Sequence, residues 1–270
     1  MGEAAIANYK FTQQPSHSTL PIALSFGIGV YSALMLSGPI TGAHINPALS
    51  ISLMTVRKLK PLQCFFYVIG QILGAFLGAA LVYVVYLKQF DEFDGGIREM
   101  TGPNGTADIF FTMPAKGTPQ WNALVDQIVG TAILMIFVMA VTHELNQMMS
   151  KAVEPLAFAL IVTGIISAFS INAGAAINPA RDLGPRLFGA FVYGWNNVFG
   201  VHNYFFWVPI VGPIVGAIVG VWLHQGFIWI VKHYGHLSNI EESSANKKID
   251  SKAIQIKEND SLDVDTNSQL

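Results

Sequence analysis

Gly174-Ala175-Ala176-Ile177-Asn178-Pro179-Ala180-Arg181-Asp182 lies in an otherwise apolar region and decides how the whole chain is read. Asparagine is a strong helix cap and proline is favoured at the first helical position, so Asn178-Pro179 predicts a helix start. Arg181 then falls in the first turn, where the helix dipole disfavours a cation. An arginine held there, between apolar runs, points to a function rather than to a solvated surface. The same start occurs earlier. Gly42-Ala43-His44-Ile45-Asn46-Pro47-Ala48 matches Gly174 to Ala180 at every position except His44 against Ala176. One Asn-Pro-Ala tripeptide is a plain cap; two in matching seven-residue settings indicate a duplication.

Outward from these two copies the chain is apolar. Of 270 residues, 52% are hydrophobic and 12% charged, against about 25% charged in a soluble domain. The net charge of −2 gives no sign of nucleic-acid binding. The single Cys64 has no partner for a disulfide and no metal ligands beside it, and reads as a small buried residue. The first residues, with Glu3, Asn8 and Lys10, lack the apolar core of a cleavable signal.

Five runs are long enough to cross a bilayer: residues 20–37, 62–87, 123–141, 155–171 and 205–231. Gly38-Pro39 is expected to break the first. Residues 47–56 and 179–191 are too short to span and read as half-length helices. Arg57, Lys58 and Lys60 mark the cytoplasmic side. Residues 88–120 form a polar loop on the outside, where Asn104-Gly105-Thr106 is a glycosylation sequon. Three regions result: an N-terminal segment 1–19, a membrane region 20–232, and a polar tail 233–270 read as disordered and cytoplasmic.

A second internal match supports the duplication. Gly74-Ala75-Phe76-Leu77-Gly78 parallels Gly216-Ala217-Ile218-Val219-Gly220, small residues spaced for close helix packing. An odd number of spans separates the copies, so the halves are inverted and their half-helix starts meet at the membrane midplane. Two such starts, each with unsatisfied N–H groups and partial positive charge, raise a barrier to cations and protons. The Asn46 and Asn178 amides are expected to donate to a passing oxygen while their own oxygens cap the helices. The non-helical stretches 42–45 and 174–177 are expected to offer a ladder of carbonyl acceptors. His44 adds a polar contact on the cytoplasmic approach, or is simply a packed, hydrogen-bonded side chain.

These paired motifs resemble those of the aquaporin (major intrinsic protein) family, over roughly residues 1–232. The resemblance implies an all-α membrane protein with an inverted repeat, five full helices here plus two half-helices, where the family has six full helices. It implies a passive, non-enzymatic channel for water, glycerol and small neutral solutes, without cofactor or metal. It further implies homotetramers, or mixed tetramers with full-length channels, in a membrane expected to be the plasma membrane. The pore motifs would be Asn46-Pro47-Ala48 and Asn178-Pro179-Ala180, and the selectivity filter Phe26, Ile166, Ala175 and Arg181. Ile166 and Ala175 depart from the common glycerol-channel pattern, one narrowing and one opening the filter. Asp182, Arg186, Pro209-Ile210 and Tyr86 match positions of the glycerol-conducting branch, and Gln127 an acidic or amide site. Asp182 could equally complement the dipole and hold Arg186 at i+4.

The internal repeat also predicts a gap. Two full spans precede the second motif but one precedes the first, so the chain reads as starting within the last turns of a first helix, with residues 2–8 as its remnant. Two other readings stand beside the channel. A non-conducting subunit that modulates full-length channels would follow from that gap. A secondary transporter also uses broken helices and inverted repeats, but needs ionisable groups deep in its spans.

Overall fold

A computed structural model describes residues 1–14 and 18–234. The tail expected at 233–270 lies, beyond Tyr234, outside the described residues. The chain divides into two compact units, Met1–Leu223 and His224–Leu270. The first carries α1 (Gly2–Thr12), α2 (Thr19–Thr41), α3 (Pro47–Thr55), α4 (Pro61–Val85), α5 (Leu87–Asp94), α6 (Gln120–Val141), α7 (Glu154–Ala173), α8 (Pro179–Tyr193) and α9 (Trp195–Tyr204). The last helix, α10, runs Val208–Tyr234. In the second unit Trp229 packs on His233, their ring centroids 4.4 Å apart.

Five helices among the described residues are long and apolar enough to cross a membrane. The short α3 and α8 begin where the sequence places them, each with proline in the first turn. Most boundaries differ by a few residues. Gly38-Pro39 does not end α2, which continues to Thr41. Proline there removes one hydrogen bond near the helix end, and the true stop is Gly42, whose φ of 77° closes the helix with a 2.9 Å bond from its N–H to the Gly38 carbonyl. The last span begins at Val208 rather than 205, because Phe205–Trp207 form a 3-10 turn. Before it, α9 leaves helical geometry at Val201, and His202, Asn203 and Tyr204 take positive φ.

The loop expected at 88–120, read as polar and outside, is in part apolar and structured. It contains α5 and a 3-10 turn at Ala107–Ile109, and Ile109, Phe110 and Phe111 are fully buried. Phe110 lies against Phe90, Tyr83 and Phe188, so apolar burial draws the loop inward onto α4 and α8.

Glycines set how closely helices approach. A Cβ on Gly212, Gly216 or Gly220 of α10 would collide with α6. A Cβ on Gly184 of α8 would meet the Ala75 Cβ of α4 at 2.6 Å. By contrast, Gly70, Gly74 and Gly78 of α4 have nothing within 4 Å of where a Cβ would stand. The most apolar stretches of α2 and α4 are 11% and 6% buried, against 50% for α6. The two halves are therefore unequal: the glycine stripe of α10 is covered by α6, and its counterpart on α4 faces an open groove. The α1 helix, at 11 residues, is longer than the remnant expected, and its Met1, Gly2 and Glu3 border that groove.

Candidate functional site

The two Asn-Pro-Ala motifs meet inside the first unit. Asn46 Oδ1 accepts from Ala48 N at 2.9 Å, and Asn178 Oδ1 from Ala180 N at 3.0 Å and Arg181 N at 3.4 Å. Both are working helix caps. Their nitrogens cross over: Asn46 Nδ2 donates to Ile177 O, and Asn178 Nδ2 to Ile45 O, each at 2.9 Å. This modifies two expectations. One of the two hydrogens of each amide is already engaged, leaving one for a solute. The Ile45 and Ile177 carbonyls likewise each give one lone pair to the crossing, leaving one for a solute.

The backbone before each cap repeats the same unusual path. Gly42, Ala43 and Ile45 have φ of 77°, 44° and 44°; Gly174, Ala175 and Ile177 have 73°, 43° and 42°. Left-handed geometry costs a non-glycine residue about 1–2 kcal/mol, and is rarer still for a β-branched one. Such strain persists only where surrounding bonds hold it. In the second copy Gln127 Oε1 accepts from Ile177 N at 3.0 Å. The glycine of each motif has a role the sequence reading missed: it is the left-handed stop of the preceding helix.

A cavity of about 210 Å³ runs between the motifs, bordered by Phe26, His44, Asn46, Ile166, Asn178 and Arg181, with Ala175 and apolar residues of α2, α3, α6 and α7. All four positions expected for the filter thus border one space. The Arg181 guanidinium carbon lies 4.8 Å from the centre of the Phe26 ring, and its Nη1 donates to Phe110 O at 2.7 Å. Phe110 was missed, and the signal was present in Ile109-Phe110-Phe111, an apolar run inside a polar loop. His44 does both things left open: it borders the cavity, and its Nδ1 lies 3.1 Å from Ser50 Oγ.

Behind the arginine is a closed polar network. Asp182 and Arg186 are both fully buried, with Arg186 Nε donating to Asp182 Oδ1 at 2.7 Å. Thr112 of the outer loop donates its N–H to Asp182 Oδ2 at 2.8 Å and accepts from Arg186 Nη2 at 2.8 Å. The plainer role weighed for Asp182, holding Arg186 one turn on, is realised. Tyr86 packs on Phe11 instead of bordering the cavity, and Pro209 and Ile210 lie in the first turn of α10, also away from it. Asn104 is exposed, but Thr106 of the same sequon is buried with its hydroxyl 2.8 Å from that of Tyr193. Among the described residues no cluster suits a metal ion.

A second cavity, about 620 Å³, fills the groove between α2 and α4. It shares Phe26, Val30, Ala43, His44, Ile45, Asn178 and Arg181 with the first, so one layer of residues separates the two spaces.

The sequence pattern of the family described as "Major intrinsic protein" matches residues 1–224. The chain belongs to the major intrinsic protein family. It is 42% identical to Aquaporin-9 of Homo sapiens over 202 residues, 74% of this chain and 68% of that one. It is 34% identical to Aquaglyceroporin-2 of Rhizophagus irregularis over 228 residues, 84% of this chain and 72% of that one. The fold is similar to the X-ray structure of the aquaglyceroporin from Plasmodium falciparum, with a TM-score of 0.73, 28% identity, and 84% and 89% of the two chains covered. As a major intrinsic protein the chain is an integral membrane channel for water and small solutes, and not an enzyme.

Proposed function

We propose that this major intrinsic protein conducts glycerol, water and similarly small uncharged solutes passively, and excludes protons and ions. The observation that carries this reading is the cavity in which two helix starts and Arg181 converge. Each start supplies N–H groups and about half a positive charge, repelling cations at the centre. One free amide hydrogen on each of Asn46 and Asn178 donates to a solute oxygen, which then cannot relay a proton in both directions. Arg181 supplies fixed donors to a hydroxyl, while Phe26 and Ile166 lie against the carbon backbone of the solute. The small Ala175 leaves the width a polyol needs. The buried Asp182–Arg186 pair anchors the half-helix that carries Arg181. Four such chains assembled in the plasma membrane, with the C-terminal tail in the cytoplasm, complete the proposal.

The test is stopped-flow light scattering on proteoliposomes holding the full chain, under glycerol and then sucrose gradients. Glycerol entering faster than in empty vesicles supports the reading. Water flux with glycerol excluded sinks the polyol assignment.

A second reading, a subunit that does not conduct alone but modifies full-length channels, is favoured by the open groove beside the pore. Flux seen only upon co-reconstitution with a full-length relative would select it.

A further inference from the structure

The cavity in the groove is bordered by one acidic and one basic side chain, Glu3 of α1 and Arg181 of α8. Both stand beside Phe26. Gly2 has no room for a Cβ, because the Phe26 ring occupies that space. The first turn of α1 therefore rests directly on Phe26, and Arg181 reaches over the same ring at 4.8 Å. Among the described residues no direct ion pair joins Glu3 to Arg181 or to any other cation. The one hydrogen bond of the Arg181 guanidinium goes to Phe110 O, on the side of the outer loop. Its remaining donors are uncommitted, since an arginine carries five.

A first-turn carboxylate commonly complements its own helix dipole, and Glu3 is placed to do so for α1. That role does not require the residue to border a cavity shared with an arginine. An acid in an apolar wall is costly unless an opposite charge compensates it; the Met1 amino group borders that space too, and Arg181 is the side-chain cation there.

We propose that Glu3 is a specificity-determining residue of the constriction: across the cavity it balances the Arg181 charge and, with Phe110 O on the other side, fixes the orientation of the guanidinium. This rests on reading Phe26 and Arg181 as that constriction. Two anchors on opposite sides leave Arg181 a narrow range of poses, and a solute hydroxyl meets donors aimed in one direction. Without Glu3 the guanidinium is held by Phe110 O alone, and the positive field in the cavity rises.

The experiment has two arms on the full chain in lipid vesicles. The first labels arginines with phenylglyoxal and follows Arg181 by peptide mass spectrometry, with exposed Arg57 as internal control. This arm needs no conduction. Burial raises the Glu3 carboxyl to about 7, so the labelling buffer is kept well above that value. There Glu3→Gln removes the charge that stabilises the protonated guanidinium, and Arg181 should label about fivefold faster, as expected for one nearby charge in a low-dielectric wall. Glu3→Asp should stay near wild type, and Arg57 should not change. Equal Arg181 rates in wild type and Glu3→Gln would overturn the proposal. The second arm measures the glycerol-to-water permeability ratio, which should fall about fivefold in Glu3→Gln and recover in Glu3→Asp. An unchanged ratio beside altered labelling overturns the specificity role. A wild type that passes no glycerol, with the labelling shift present, instead brings down the channel reading beneath it, and the specificity role with it.

Discussion

Asn46 and Asn178 each hold the backbone of the other's motif: the amide nitrogen of either one donates to the isoleucine carbonyl that precedes its partner, at 2.9 Å in both directions. The bonds tie together two stretches more than 130 residues apart in sequence, and they lock two isoleucines in a backbone geometry such residues rarely adopt.

Asn178→Asp keeps the cap, because a carboxylate oxygen still accepts from Ala180 N, but cannot donate to Ile45 O. It takes the partner from that part-buried carbonyl at the cavity wall and faces it with a negative charge. We expect a loss of about 1 kcal/mol, the net worth of one hydrogen bond. Thermal unfolding in detergent reads the first effect. A proton leak in dye-loaded vesicles reads the second, since an anion at the crossing lowers the barrier to cations. A variant as stable and proton-tight as wild type would show that the crossing bonds do little.

Arg181→Val removes donors and a permanent charge from the cavity. Solute selectivity should drop and small cations should leak, measured as vesicle flux under a potassium gradient. An equally selective pore would leave the arginine a purely structural part.

At Ala175 a larger residue faces two costs. Phenylalanine would narrow the cavity opposite Phe26, slowing glycerol more than water. It would also have to fit its larger side chain against a backbone at φ near 43°, a geometry whose cost alanine already carries. Ala175→Gly should spare the strain and leave conduction open. Comparing the two variants by glycerol flux and by melting separates width from backbone.

The unequal glycine stripes give a contrasting pair. Gly216→Leu drives a side chain into the backbone of α6 and should prevent folding or cost about 3 kcal/mol, the upper range for overpacking. Gly74→Leu meets open space and should melt with the wild type. If a membrane-crossing helix covers the groove in the active assembly, Gly74→Leu should abolish conduction while leaving the melting point of the isolated chain in place. Equal sensitivity of both glycines in the isolated chain would mean that the groove is already filled.

Much of this arrangement was legible in the sequence because it depends on local chemistry. Asn-Pro announces a helix start whatever surrounds it, and two copies in one chain fix the inverted repeat. The spacing of Asp182 and Arg186 along one helix made their pairing readable. The contribution of the 88–120 loop was harder to read: the apolar run Ile109-Phe110-Phe111 signals burial but not that the Phe110 carbonyl will meet Arg181, and the contact exists because Phe110 and Phe111 bury themselves against α4 and α8. The stop at Gly42 was hidden by Pro39, since a proline in a last turn and a proline that ends a helix look alike until the hydrogen bonds are traced. The crossing of the two asparagines needed the fold itself, because each partner carbonyl lies in the other half.

The bond from Arg181 to Phe110 O has a consequence for protein engineering. The placement of Arg181 in the cavity is the joint product of a half-helix and a loop that precedes it by some seventy residues. Transplanting Gly174–Arg186 into another scaffold would carry the arginine without the carbonyl that aims it, and swapping outer loops between relatives would re-aim an arginine no one had mutated. Any chimera that preserves this placement of Arg181 must move both segments together, with Thr112 and Asp182 as the seam along which they are joined.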